Sequence, residues 1–594
     1  MKNEKWSVLA KKGDYKSIMN NFGVTACTAR LLVNRGITEE KDIRAFLHPS
    51  ESFLFSQKSL KGLERAADII DEKLSSRRKI RVIGDYDVDG IMSTYILTDA
   101  LKRLGAEADF YIPDRQRDGY GINEDIIVTA AKDKVDTIIT CDNGIAAIGA
   151  AEEAKKHGMT LVITDHHEVP EVLPEASVIV DPKQEGDTYP CKSICGAVVA
   201  AKLVAELLER RGLEPAGKGV LPYLEFMAIA TICDVVPLEG ENRTIAALGL
   251  KRLNKRYLST ANLELGTNLG LKALIDTCEL TTRITDYQIG FVIGPCLNAT
   301  GRLDLAARAM KLLESSDMEE ALEFASECRN LNEERKDMTL KETEKAFEML
   351  EAKAASGIQY DRVLVVELPD CHESLAGIIA GRIREKYNRP TFVLTKAKDG
   401  MKGSGRSIPG YNMFGELQKC DELFTKYGGH PMAAGLSLPS DNVSIFRERL
   451  NQNCTLTDDD LKKHVDLDAG VAVSCFDEKS VKELELFYPC GQGNPSPLFG
   501  DSKVRLIRLK RIGKNNNYLR MYLEDSRGVK TWGICFRDAD EVIGNIQEKY
   551  GMAQVDAAFE GKPNDIRLTI CYVPEINEYN GLRTIQMKIQ DFLF

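Results

Sequence analysis

Three apolar runs in the chain each end in a cluster of carboxylates or imidazoles. Lys79-Ile-Arg-Val-Ile-Gly84 leads into Asp85-Tyr-Asp87-Val-Asp89-Gly90, Asp136-Thr-Ile-Ile-Thr140 into Cys141-Asp142-Asn143-Gly144, and Thr160-Leu-Val-Ile-Thr164 into Asp165-His166-His167-Glu168. If the runs are strands of one open parallel sheet, their carboxyl ends share a crevice, and groups distant in sequence converge there. Carboxylates with one or two imidazoles and no thiolate suit Mn²⁺ or Mg²⁺ better than a structural zinc. Two such ions about 3.5–4 Å apart can clamp an attacking hydroxide and a phosphate oxygen, which makes hydrolysis of a phosphoester the leading chemistry. The two overlapping Asp-x-Asp pairs of the first cluster offer an oxygen to each ion, and Asp142 is the candidate bridge.

Plainer roles exist for each cluster alone. Asp85 to Gly90 could open an EF-hand calcium loop, but that loop needs a bidentate glutamate at its twelfth position, where Ile96 stands, and a helix before it. A lone Asp-His-His after a strand serves more often as a surface turn or helix N-cap than as a ligand set. Repetition at three strand ends decides for a metal site.

The elements that must position these groups follow from the periodicities. Residues 1–75 read as a mainly helical lead with a turn at Asn34-Arg35-Gly36. Over 76–310, apolar strand runs alternate with helical patterns such as Ser93–Leu101, which predicts βαβ units and a parallel sheet. Residues 311–355 form a helical connector, since Ala321–Ala355 lacks Gly and Pro and is patterned for one or two helices. A second α/β unit over 356–460 opens with the strand Arg362–Glu367. It carries two glycine-flanked loops, Gly403-Ser404-Gly405-Arg406 and Gly428-Gly429-His430, able to bring backbone N–H groups close to a phosphate. Over 461–594, five alternating segments, Val504–Leu509, Tyr518–Leu523, Val529–Ile534, Val555–Phe559 and Arg567–Tyr572, predict a β domain, either an OB-fold or the edge of a solvated sandwich.

A chain of 594 residues is long enough for several cores. No apolar run approaches the ~20 residues of a membrane span and Met1–Lys16 holds no signal-peptide core, so a soluble, cytoplasmic protein is expected. The 15 cysteines are odd in number and scattered, and read as buried free thiols. A net charge of −11 argues against a nucleic-acid partner only on average. Much of the acid lies in the clusters and in stretches such as Glu314–Glu320, whereas Lys503-Val-Arg505-Leu-Ile-Arg508-Leu-Lys510-Arg511 is strongly basic. Such alternation is commonly a solvated strand face; on an OB-fold, Arg505, Arg508, Lys510 and Arg511 would follow a nucleic-acid backbone while Tyr and Trp rings stack bases.

The Asp-rich motif, Asp142-Asn143-Gly144 and Asp165-His166-His167 together resemble the DHH phosphoesterase superfamily. Further motifs are Ile229-Ala-Thr-Ile-Cys-Asp234-Val-Val-Pro237, Gly294-Pro-Cys-Leu-Asn298-Ala-Thr-Gly-Arg302, His372-Glu-Ser-Leu-Ala-Gly377-Ile-Ile-Ala-Gly-Arg382, Gly403-Ser-Gly-Arg406-Ser407 and Gly428-Gly-His430-Pro-Met-Ala-Ala-Gly435. Their order and their spread over most of the chain narrow the resemblance to the RecJ family of single-strand-specific 5′→3′ exonucleases.

The resemblance implies an α/β fold: a DHH catalytic domain with a parallel sheet, a helical connector, a DHH-associated α/β domain and a C-terminal OB-fold β domain. It implies two Mn²⁺ or Mg²⁺ ions, one held by Asp87 and Asp142 with Asp85 close by, the other by Asp89, Asp142, His166 and Asp234. His167 would contact the scissile phosphate or assist the leaving oxygen, and Asn298 and Arg302 would touch phosphate near the metals. Arg115, Ser404 and Arg406 would read a terminal 5′-phosphate, a task that suits the planar fork of arginine. His372 and His430 belong to the same DNA-binding set, and a narrow entrance between the two α/β domains would admit one strand. The implied activity is release of mononucleotides from the 5′ end of single-stranded DNA in DNA repair and recombination. A single-strand-binding protein and a helicase are the expected protein partners, and the chain is expected to work as a monomer without membrane contact. Cys371 stands where the family often has an aromatic residue and Tyr427 where Phe is common; neither change removes a ligand or a charge. Two other readings stay open. One is a DHH phosphodiesterase for short oligonucleotides or cyclic dinucleotides, usually shorter and without the C-terminal β domain. The other is a non-catalytic replication scaffold, which should have lost metal-cluster residues that are all present here.

Overall fold

The structure, a computed structural model, describes residues 4–114, 117–119, 121–258, 266–303, 306–356, 360–579 and 582–594. The lead is mainly helical, with helices Tyr15–Phe22, Ala26–Asn34, Glu40–Leu47 and Leu63–Ser75, but it opens with an unforeseen strand, β1 (Glu4–Val8). The strand is short and only partly buried, so no local alternation marks it. Its partner is supplied by a segment far along the chain.

Five strands form the parallel catalytic sheet: β2 (Ile80–Ile83), β3 (Ala108–Tyr111), β4 (Thr137–Cys141), β5 (Thr160–Thr164) and β6 (Val178–Val180), in the order β3-β2-β4-β5-β6. β2 and β4 are buried along their whole length, as expected where helices cover both faces. Alternate residues serve opposite layers. Ile80, Val82, Ile139 and Val162 pack with the helices Val88–Arg103, Gly196–Arg210 and Leu224–Cys233. Ile83, Ile138, Leu161 and Ile163 pack with Glu124–Lys132 and Ile148–Lys156. The order makes β2, β4 and β5 consecutive neighbours, with Ile83 opposite Thr140 and Cys141 opposite Thr164, so the three motif-bearing ends lie side by side.

The connector is one helix, Met318–Ala355, capped by Asp317, whose side chain accepts the Glu320 N–H at 2.9 Å. Its 38 residues reach about 57 Å. Ala321, Ala325 and Cys328 pack into the catalytic core, Ala346 and Leu350 into that of the second α/β domain.

That second domain holds the mixed sheet β10-β11-β9-β8-β7, from β7 (Leu364–Glu367), β8 (Thr391–Ala397), β9 (Gly400–Arg406), β10 (Lys426–His430) and β11 (Ala433–Leu438). The two glycine segments expected as loops are strands, Gly403-Ser404-Gly405-Arg406 in β9 and Gly428-Gly429-His430 in β10. In β9 the reason is packing: a β-carbon on Gly403 would lie 2.4 Å from Leu394 and one on Gly405 2.5 Å from Met413.

β12 (Lys463–Leu467) pairs in parallel with β1. After β13 (Ala469–Gly470) come β14 (Phe499–Ile512), β15 (Tyr518–Glu524), β16 (Lys530–Cys535), β17 (Arg567–Tyr579) and β18 (Leu582–Leu593), which run β14-β15-β16-β18-β17 and close by pairing β17 with β14. This is a five-stranded OB-type barrel. Val555–Phe559, expected as a strand, lies in the helix Met552–Glu560, and the missing strand is β18. The segment is rich in alanine and buries Val555 and Ala558, a helical spacing rather than alternation. The barrel core also takes Leu31, Leu32, Ile43 and Phe46 of the lead.

No helix among the described residues is long and apolar enough to cross a membrane. Every cysteine is a free thiol, but the expectation of burial fails at Cys475, which is exposed, and holds only in part at Cys27, Cys191, Cys233, Cys278 and Cys454, which are partly exposed.

Candidate metal centre

β2 delivers the first motif. Asp87 caps the Val88–Arg103 helix by accepting the Gly90 N–H at 3.1 Å. A β-carbon on Gly90 would lie 2.5 Å from the Asp85 carbonyl oxygen, so only glycine lets the turn close. Asp89 then points to the N-terminus of the Gly196–Arg210 helix, where its carboxylate accepts the N–H groups of Gly196 at 2.6 Å and Ala197 at 2.8 Å. A helix start is a natural place for a carboxylate.

At the end of β4, Asp142 adopts the left-handed backbone region with φ 61°, uncommon for a residue with a side chain and frequent at functional positions. Gly196 makes room for it: a β-carbon there would lie 2.8 Å from the Asp142 Cβ. At the end of β5, Asp165 turns inward, accepting the Ile145 N–H at 2.9 Å and meeting His167 Nδ1 at 2.7 Å. It thereby orients His167. Asp234 follows the last turn of the Leu224–Cys233 helix.

The groups converge. His166 Nε2 lies 3.0 Å from Asp142, 3.6 Å from Asp89 and 3.9 Å from Asp234. Donor atoms within 4.8 Å of one another form three overlapping sets: Asp85, Asp87 and Asp142; Asp89, His166 and Asp234; Asp142, His166 and His167. Asp142 and His166 each belong to two of them, and of the two only the Asp142 carboxylate has paired oxygens suited to a bridging position. Asp85, Asp89, Asp142 and His166 are buried.

Electrostatics set the chemistry of this cluster. Burial and then the charges of Asp89, Asp87, Asp85 and Asp234 push the Asp142 carboxyl well above its ordinary range. Burial, Asp89 and Asp87 push Asp234 up to about 8, and burial with Asp89 also raises Asp87. Carboxylates so placed call for cations among them, and an all-oxygen and imidazole donor set fits Mn²⁺ or Mg²⁺. Burial lowers the His166 pKa, favouring the neutral ring that ligates metal. Burial also works against charging His167, but the bond to Asp165 outweighs it and lifts the pKa to about 9.

Other expected site residues lie elsewhere or outside the described residues. The Asn298 side-chain oxygen accepts the Val88 N–H at 3.1 Å, tying the Gly294–Leu303 helix to the first motif. Arg302 lies in that helix, but its side chain falls outside the described residues, as does all of Arg115. In the second domain Arg406 donates to Ser404 Oγ at 3.2 Å and to the Gly405 carbonyl at 2.8 Å. Gly377 leaves room for the pair, since a β-carbon there would lie 2.8 Å from Arg406 and 3.0 Å from Ser404. Burial and then the charge of Arg384 lower the Arg406 pKa, so an anion beside it would be favourable. His372 caps a short turn and meets Ser374 Oγ at 2.7 Å. Exposed His430 faces the catalytic domain closely enough to add to the lowering of the Glu168 pKa, which Lys183 dominates.

Of the basic run in the barrel, Arg505 pairs with Glu524 at 3.5 Å and Arg511 with Asp540 at 2.5 Å, while Arg508 and Lys510 are exposed. Residue types alone did not single out the best-formed surface group. Tyr522 and Trp532 face each other across β15 and β16 with centroids 4.6 Å apart, and Arg520 lies 4.3 Å over the Trp532 ring. Arg508 sits opposite Tyr522, extending the strip to β14. The alternation of half-buried and buried residues along β15 carries the signal. Gly196 and Ala197 were also missed, because nothing in a Gly-Ala pair at a helix start announces a carboxylate held from another motif.

Comparison with known proteins matches three family models: the DHH family N-terminal domain at residues 79–231, the DHHA1 domain at 361–455 and the RecJ OB domain at 467–591. The single-stranded-DNA-specific exonuclease RecJ of Bacillus subtilis is 35% identical over 99% of this chain and 70% of its own length. Its Escherichia coli counterpart is 30% identical over 95% of both chains. The crystal structure of Thermus thermophilus RecJ in complex with Mn²⁺ superposes with a TM-score of 0.80 at 26% identity, covering 100% of this chain and 80% of that one. The Mg²⁺ complex gives 0.75 at 26% identity, over 99% and 78%.

Proposed function

This chain belongs to the RecJ family of single-stranded-DNA-specific exonucleases, and from that premise we propose that it removes nucleotides from the 5′ end of single-stranded DNA at the centre around Asp142. It is a metal-dependent hydrolase that uses Mn²⁺ or Mg²⁺. The observation that carries the reading is the convergence of Asp85, Asp87, Asp89, Asp142, His166 and Asp234 from separate motifs on one buried point.

When bound, two divalent ions supply charge stabilisation at the phosphate and acidify the attacking water. Asp85, Asp87 and Asp142 would hold one, and Asp89, Asp142, His166 and Asp234 the other. His167, oriented by its Nδ1 contact with Asp165, would donate to a phosphate oxygen or to the leaving 3′-oxygen. Asn298 fixes the first motif against the neighbouring helix, and Arg302 would add a phosphate contact there.

Polarity needs a reader of the strand end. The Ser404 and Arg406 pair offers a partly buried guanidinium already hydrogen-bonded to a hydroxyl, and Arg115 would join them on the terminal 5′-phosphate. Downstream, Arg508, Tyr522, Trp532 and Arg520 form a cationic and aromatic strip on the barrel that suits a single strand. His372, His430 and Lys510 would line the path, with Arg505 and Arg511 contributing once released from Glu524 and Asp540. A single-strand-binding protein and a helicase would present such ends in a cytoplasmic setting.

The test uses one strand labelled at either end, with Mn²⁺. Loss of the 5′ label as mononucleotide before the 3′ label is expected; the reverse order ends the polarity assignment.

A further inference from the structure

Phe291 is the most exposed large hydrophobic side chain among the described residues, at 66%, and Tyr287 is 60% exposed. Their rings stack with centroids 4.9 Å apart and planes 25° from parallel. Two large rings ordered against each other in solvent, rather than buried, mark a contact surface.

Their backbone is held from below. A capping box at Thr285 starts the segment, a π-helical turn Ile289–Ile293 follows, and the Gly294–Leu303 helix continues it. Ile289 and Ile293 are buried in the catalytic core, and Cys233 Sγ donates to the Ile289 carbonyl at 3.8 Å. The turn therefore sits on the last turn of the helix that ends at Asp234. π-helical turns concentrate at functional places. Val235, one residue past Asp234, is 58% exposed in the left-handed backbone region with φ 59°, a costly conformation for a β-branched residue.

The same segment leads to the metals. Phe291 lies in the π turn and Asn298 seven residues on in the helix that continues it, where the Asn298 side-chain oxygen accepts the Val88 N–H of the first motif. Seven residues span about 10 Å of axis. A strand whose scissile phosphate lay at the centre would carry neighbouring bases toward that range, and the stacked Tyr287 and Phe291 rings stand exposed there.

We propose that Tyr287 and Phe291 form a base-stacking step for single-stranded DNA beside the metal centre. The step rests on the exonuclease reading and adds a determinant of substrate grip to it. A base on the open face of the pair extends the column by one ring and needs no sequence preference, because every base offers a π-face.

Phe291→Ala, Phe291→Leu and Phe291→Trp are compared on an oligonucleotide and on copies with one abasic residue at each of the first eight positions from the 5′ end. On the intact strand KM is expected to rise roughly 5- to 150-fold for the Ala and Leu variants, the loss of one stacked base, and to stay near wild type for Trp. At one position, or two adjacent ones, the abasic copy costs the wild type as much, and Phe291→Ala adds nothing further. Equal KM for wild type and Phe291→Leu, or losses that add at every position, overturns the step while wild-type cleavage leaves the exonuclease reading standing. If the wild type cuts no single-stranded DNA, both fall together.

Discussion

Asp142 gathers the electrostatic difficulty of the site: a buried carboxyl in a left-handed backbone, facing Asp85, Asp87, Asp89 and Asp234. The metal-free centre stands at a cost that divalent cations offset. Asp142→Asn is expected to lower cleavage at least ~10³-fold. The metal-free variant should melt no lower than metal-free wild type and should lose most of the Mn²⁺-dependent rise in Tm; a Mn²⁺ titration of Tm checks both, and a full rise in the variant would remove Asp142 from the bridging position. Asp181, after β6, gives a pH-dependent test. Burial pushes it up to about 7. With its folded pKa above the unperturbed 3.8, the stability it contributes is complete below about pH 4 and is lost as pH rises through about 7. Asp181→Asn should therefore gain Tm relative to wild type between pH 5 and 8, and a constant difference would show that the carboxyl ionises normally.

Elements, more than single residues, explain how the acids are aimed. The Gly196–Arg210 helix gives two N–H groups to Asp89 and an empty β-carbon position to Asp142. Gly196→Ala is expected to cost about 10- to 100-fold in Mn²⁺ affinity or kcat/KM with the fold retained, measured by titration and steady-state kinetics; unchanged affinity and activity would mean the backbone yields at no cost. β2, β4 and β5 were legible because each is a short run rich in Ile, Val, Leu and Thr that stops at its acids. The Met552–Glu560 helix was misread because a five-residue apolar window fits either period, and only the buried pair Val555 and Ala558 decides. The β9 glycines read as a loop for a related reason: nothing in Gly403-Ser404-Gly405 shows that Leu394 and Met413 close over the strand.

Across the whole molecule the two ends of the chain are tied together. β1 pairs with β12, Phe46 meets Phe487 at 5.3 Å, and the lead helices share the barrel core. Truncation through Leu9 should lower the Tm of the barrel and speed its proteolysis while the isolated metal response survives; an unchanged barrel Tm would show the pairing to be dispensable. The Met318–Ala355 helix links the catalytic core to the second domain, and so sets the span between the metal centre and Arg406.

By itself the amino-acid order marked the helical lead and connector, the motif-bearing strands of the catalytic sheet, and the residue types suited to a divalent cation with their candidate positions, because periodicity and side-chain type are local properties. Only the tertiary structure decided that β2, β4 and β5 are neighbours in that order, that Gly196 and Ala197 hold Asp89, that Asp165 holds the His167 ring, and that Arg505 and Arg511 are already paired. Those outcomes depend on contacts between residues far apart in the chain, whose energies no window of sequence contains.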